Sequence, residues 1–416
     1  MRERSEVRIG VTWANSGWCW LDSRFLYPGT RIWVSQVNDR GGMYVPEAGR
    51  KLPVRLIAYD DRSHPEVSVA AVRELCEKDR IDVFCSSGSS ECQAEVLPVT
   101  ERHRIVNLNV GAPDPKFFQM GYRYHLQCGP ALGAEERPEP KFWKQHGLTR
   151  IADLYADFIG FDAFHAGVKP AVEAEGGLEM VFHEPVPRQE RWSTQYGPYR
   201  ADFDGWADIV RRLKAARPDV VKIGLPAPAE YRLMKEMRRQ GVWFKHLELL
   251  YGPELTKIGL GAEDLLYQFD SLKLGLVRHA DDPRINVGGS FEELVQAARR
   301  YMPGVNPLYS RSYVALAIWE HLVAQAGSMD ADAVMAQAQK ESGRIHTMDG
   351  PLRWTPTWDT EPVPGTGVAG VCQIQRDAWS GELASVPVWP PAIARAEPVF
   401  TELPYEQRPV PWGGIW

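Results

Sequence analysis

Short apolar runs alternate along most of this chain with longer stretches whose apolar residues recur every three or four positions. VRIGV (7–11), VRLIAY (54–59), DVFC (82–85) and RIVNLN (104–109) read as buried strands, because they are short, apolar and bounded by turn residues. Between them, 24–39 reads as a helix stopped at Gly41-Gly42. EVSVAAVRELCE places Val67, Ala71 and Leu75 on one helical face, and a further helix covers about 92–102. Repeated strand and helix predict a parallel sheet covered on both faces. GPALGAEERPEP, from 129, breaks the rhythm and reads as a linker or crossover.

The alternation then restarts. RIADLY (150–155), LEMVFH (178–183), DVVKIGL (219–225) and HLELLY (246–251) read as strands. Helices are expected over Asp162–Glu175, on the face of Ile209, Leu213 and Ala216, and on that of Leu233 and Met237. Two similar α/β sheets in succession predict a two-lobed architecture. The last third adds helices over 291–302, 312–327 and 331–342 and a strand over 367–375. The Pro-rich, aromatic tail from 386 reads as extended chain over a surface.

Composition narrows the function classes. The chain has 416 residues, 44% hydrophobic and 25% charged, with net charge −6, as in soluble proteins of two or three domains. The mild negative charge gives no footprint for nucleic acid. No apolar run approaches the roughly 20 residues of a spanning helix. MRERSEVRIG lacks the apolar core of a signal peptide, so the expectation is a cytoplasmic protein or one whose signal was replaced by a start Met. The six cysteines show no CxxC pair and no zinc spacing, and no metal or cofactor is expected. They read as buried thiols, with a disulfide as the alternative; Cys85 and Cys92 are then the easiest pair.

GTGVAG (365–370) matches GxGxxG but is followed by a strand pattern, so it reads as a turn. No nucleophile and base set is visible, which argues for a binding protein over an enzyme. The SSGSSE loop between strand and helix suits an anion, through serine hydroxyls and helix N-terminal amides; plain capping by Ser89 or Ser90 is the simpler role. Trp13, Trp18 and Trp20 sit in or beside the first strand–helix loop and suit an apolar or aromatic ligand.

The opening strand with NSG, QVNDRGG (36–42), YDD (59–61), CSSGSS, NVGAPDP (109–115), PDVVKIG (218–224), YGPE (251–254) and VWPPAIARAEPVF together resemble one family. It is the type I periplasmic solute-binding proteins of the leucine/isoleucine/valine-binding kind, and the resemblance runs from Val7 to about Phe400. It implies two Rossmann-like lobes joined by three crossover segments, with a ligand cleft between them that closes like a hinge. Lobe 1 would comprise 7–129 and about 279–358, lobe 2 about 130–278 and 359–390, with 391–416 as tail. It also implies an ABC permease as partner, and a periplasmic or lipid-anchored location after signal removal.

By the same resemblance, Ser86, Ser89, Gly111 and Ala112 hold a ligand carboxylate, Glu254 an ammonium, and Phe158, Ile159 and Tyr313 stand at cleft positions; Trp18 and Trp20 are expected to line the pocket from their place in the first strand–helix loop. Pro113 stands near the family's threonine, and Arg62 and Ser63 replace the family's cysteine after YDD, the customary partner of Cys85. The expected ligand is a hydrophobic amino acid or an aromatic carboxylate. The alternative is a cytoplasmic small-molecule sensor on this fold, similar to the amide-responsive regulators.

Overall fold

A computed structural model of the chain describes residues 4–86, 89–110, 114–129, 138–157, 160–187, 203–271, 282–305, 311–361, 370–376 and 381–401. The chain forms two units, Met1–Glu135 with Val277–Gly367 and Glu136–Leu276 with Val368–Trp416, so it passes between them three times.

The first unit is built on β1 (Val7–Trp13), β2 (Val54–Asp60), β3 (Val83–Cys85), β4 (Val106–Asn109) and β5 (His125–Gln127). They lie in the order β2-β1-β3-β4-β5, every neighbour parallel. Alternation along β3 sends Val83 and Cys85 to one core and Phe84 to the other. The first core is closed by helices Trp20–Asp39, Phe291–Tyr301 and Arg311–Ala326, and the second by Pro65–Glu74 and Ser90–Arg102. Arg311–Ala326 is buried on nearly every side from Ser312 to Trp319, which explains why its sequence is apolar all round. Burial of each large aliphatic side chain there contributes about 1.5–3 kcal/mol.

The second unit repeats the plan with β6 (Arg150–Ala156), β7 (Glu179–Val186), β8 (Val220–Gly224), β9 (His246–Leu249) and β10 (Phe269–Asp270). These run in parallel in the order β7-β6-β8-β9-β10. β11 (Val371–Arg376) and β12 (Leu383–Trp389) extend the sheet antiparallel beyond β10. Helices Trp206–Ala216 and Ala227–Arg239 bury Ile209, Leu213, Leu233 and Met237, as the spacing predicts.

Three local expectations change. The first helix begins at Trp20, four residues before 24. The stretch 162–175 is two helices, Phe161–Ala166 and Val168–Glu175, parted at Gly167, a poor helix former. The tail from 386 starts as the edge strand β12, where Pro387 is tolerated, and Phe400 then packs on Phe269 at 5.9 Å between rings. No disulfide joins the six cysteines, and all but Cys76 are buried. GTGVAG lies almost wholly outside the described residues; Gly370 leads into β11.

Candidate functional site

Strand order reverses between β1 and β3 in the first sheet, and between β6 and β8 in the second. In open parallel sheets the carboxyl ends beside such a reversal form a crevice, because the flanking connections diverge to opposite faces. In the first sheet the candidate residues lie at this end; in the second, a buried row of charge crosses the middle of the strands.

At the end of β1 the loop is locked by side chains from the end of β2. The Asp60 carboxylate accepts the N–H groups of Asn15 at 3.0 Å and Arg62 at 2.9 Å, and the Ser16 hydroxyl at 3.2 Å. The Ser63 hydroxyl donates to the Ser16 carbonyl at 2.9 Å and accepts the Cys19 N–H at 3.0 Å. Gly17, at φ +88°, lets the loop lie there: a Cβ would sit 2.4 Å from the Arg62 carbonyl oxygen. Trp18 is buried, its indole N–H donating to the Ser63 carbonyl at 3.2 Å. Trp20 opens the helix half-buried, with the Arg24 guanidinium 4.8 Å over its ring. Trp13 stacks on Tyr27 at 4.4 Å.

At the end of β3, the Ser86 N–H donates to the Leu108 carbonyl at 3.1 Å. The Ser86 hydroxyl is buried and has no partner among the described residues. Ser89 caps helix Ser90–Arg102, accepting the Cys92 N–H at 3.2 Å, the simpler of its two expected roles. Asp61 is fully buried; one oxygen accepts the Ser63 N–H at 2.9 Å and the other has no partner among the described residues. Burial pushes its carboxyl up to about 6, against the Ser63 N–H and Thr12 hydroxyl and with the help of Asp60. Burial also raises the Cys19, Cys85 and Cys92 thiols, which leaves them un-ionised and inert at neutral pH. Gly111, Ala112, Phe158 and Ile159 lie outside the described residues.

The second sheet carries a row of charge that its sequence conceals. The register sets His183 beside Asp153, Asp153 beside Lys222, and Lys222 beside Glu248, across four adjacent strands on one face. His183 lies 3.1 Å from Asp153, whose other oxygen meets His165. Lys222 pairs with Glu248 and donates to the Ser271 hydroxyl at 2.8 Å, which donates to Glu248 at 2.7 Å. Burial alone would raise both carboxyls. His165, His183 and the Lys222 ammonium outweigh it at Asp153, and Lys222 with His246, 3.4 Å away, at Glu248, holding Asp153 below and Glu248 well below the usual range. Gly224 makes room for His165, because a Cβ there would fall 1.8 Å from its Nε2. Single strands reading DLY, VVKIG and HLEL give no sign that their charges align.

Glu230 accepts the N–H groups of Leu250 at 2.7 Å and Tyr251 at 3.2 Å, fixing the turn that carries YGPE. Glu254 is half-buried in the 3₁₀ turn Gly252–Ile258 and already pairs with Lys257. Tyr313 sits in the core of the first unit, its hydroxyl on Gln36, and burial pushes it up to about 12. The first unit thus gathers Trp18, Trp20, Ser86 and Ser89 around the ends of β1 and β3. Among the described residues no cluster of three or more His, Cys, Asp or Glu could hold a metal, and no helix is long and apolar enough to cross a membrane.

Residues 6–365 match the profile of a family described as periplasmic binding protein. No curated protein matches the sequence. Solved structures share the fold at low identity. A leucine-binding protein from Thermotoga maritima MSB8 has TM-score 0.66 at 16% identity, over 93% of this chain and 99% of that one. A solute-binding protein of an ABC transporter from Rhodopseudomonas palustris BisB5, in complex with 3,4-dihydroxybenzoic acid, has TM-score 0.65 at 16% identity, over 95% and 98%. A putative branched-chain amino acid ABC transporter protein from Silicibacter pomeroyi has TM-score 0.67 at 15% identity, over 96% and 100%. With the profile spanning most of the chain and the two-sheet plan in agreement, this protein belongs to the type I periplasmic binding proteins, the kind that includes the leucine-binding proteins.

Proposed function

We propose that the protein captures a small organic acid by closure of its two lobes and delivers it to the permease of an ABC importer, working in the periplasm. The buried Ser86 hydroxyl, without a partner among the described residues, carries this reading. A hydroxyl kept from water without a partner costs about 1–3 kcal/mol, and a ligand carboxylate beside the β1/β3 reversal would supply the missing acceptor. Ser89 and the backbone at Gly111 and Ala112 complete the proposed carboxylate site.

The ligand is an aromatic carboxylate in preference to a hydrophobic amino acid. Glu254, the proposed reader of an ammonium, already has Lys257 as its cation. The Trp13 and Tyr27 stack and Trp20 offer aromatic surface at the end of β1. Relatives of this fold are described in complex with 3,4-dihydroxybenzoic acid and 4-hydroxybenzoate, and one with leucine. The test is a thermal-shift screen of benzoates, cinnamates, leucine and phenylalanine. Ligand at 1,000 times its Kd stabilises by roughly 4 kcal/mol, a rise of several degrees. A rise with benzoates and none with amino acids is the expected result; a rise with amino acids alone would overturn the preference, and no rise with any would overturn the ligand class.

A further inference from the structure

The second sheet has another feature, at the opposite edge from its carboxyl ends. The loop before β8 and the loop before β9 form an open cleft of about 400 Å³, lined by Lys214, Arg217, Asp219, Val242, Trp243 and Phe244, among others. That size falls in the roughly 300–1,000 Å³ range of small-molecule sites. Its charge is one-sided. Asp219, the only acidic group among the described lining residues, is committed: one oxygen accepts the N–H groups of Thr149 at 2.9 Å and Arg150 at 3.0 Å, and the other faces Lys245 at 3.5 Å. Lys214 and Arg217 are exposed and have no ion-pair partner among the described residues. Buried Val242 and Phe244 and half-buried Trp243 make the rest of the wall apolar and aromatic.

We propose that this cleft is a second binding site, for a small aromatic carboxylate. A guanidinium fork pairs with a carboxylate through two parallel hydrogen bonds, and the Lys214 ammonium adds charge beside it. The Trp243 indole gives a ring something to pack against, which inorganic anions cannot use. The site stands at the amino ends of β8 and β9, apart from the carboxyl-end residues proposed to hold the transported acid, so either site can fail without the other.

The experiment uses the full chain labelled with 5-fluorotryptophan and titrated with benzoate, read by fluorine NMR. Trp243→Phe assigns the Trp243 resonance, and Trp20→Phe that of Trp20 near the first site. The expected result is a saturable shift of the Trp243 resonance whose midpoint rises at least tenfold in Lys214→Ala/Arg217→Gly. Gly suits position 217 because Arg217 already holds φ +48° there, and circular dichroism checks that the variant is folded. Inorganic phosphate should leave Trp243 unmoved. A stationary Trp243 resonance, an unchanged midpoint in the double variant, or an equal response to phosphate would overturn the proposal, even where Trp20 responds.

Discussion

Replacing Lys222 by Met tests the buried charge row of the second unit. Lys222 and Glu248 are each about 2% exposed, so the pair is desolvated, and Met keeps the length of the stem while deleting the cation. Removing one partner of a buried pair costs about 3–5 kcal/mol, because the other charge remains without compensation. In a unit of this size, that lowers Tm by on the order of 10 °C. The sign of the pH dependence is the sharper part. In the native protein the folded Glu248 carboxyl lies well below its ordinary value despite burial, so its stabilisation is present above the unfolded value and is lost as pH falls. Without Lys222, burial dominates and raises the folded value, so the penalty grows as pH rises through it. Thermal melts followed by circular dichroism should therefore show a larger deficit at pH 7.5 than at pH 5, and Glu248→Gln added to Lys222→Met should recover much of it at pH 7.5. A deficit under about 1 kcal/mol, or one equal at both pH values, would show that the pair behaves as a solvated surface pair.

Three further outcomes follow from the first unit. Ser86→Ala should leave the Tm of the free protein unchanged or slightly higher, since its hydroxyl has no partner to lose among the described residues, while weakening benzoate binding about tenfold in calorimetry. Asp61 has a folded value of about 6 against an ordinary 3.8, so its contribution is favourable below the unfolded value and is lost as pH rises through about 6. Asp61→Asn should remove that slope, worth about 3 kcal/mol across the interval, in melts from pH 4 to pH 7. Gly17→Ala should destabilise by roughly 1–3 kcal/mol in urea unfolding, because it adds both a positive-φ penalty and a contact on the Arg62 carbonyl.

The two-sheet plan was legible in the chain because each buried parallel strand is a short apolar run between punctuated helices. Helix ends were less so: Trp20 opens the first helix, and the turn before it is held by Ser63, distant in sequence, through the Cys19 N–H. The serine loop was legible as a strand-to-helix turn, and Ser89 proved to be its cap. Ser86 could be singled out by family resemblance, but its missing partner is a property of packing. The row from His183 to Glu248 was hidden altogether, because it exists only once four strands are set in register. Nor did spacing alone reveal that Lys257 would meet Glu254, one turn earlier.

Calorimetric titration of the native protein and Ser86→Ala with 4-hydroxybenzoate and with leucine most directly tests capture of an organic acid at the β1/β3 reversal. Saturable binding of 4-hydroxybenzoate by the native protein, about tenfold weaker in Ser86→Ala, and little response to leucine are the expected results. Equal affinity of the two proteins for 4-hydroxybenzoate, or no binding of either acid by the native protein, would contradict it.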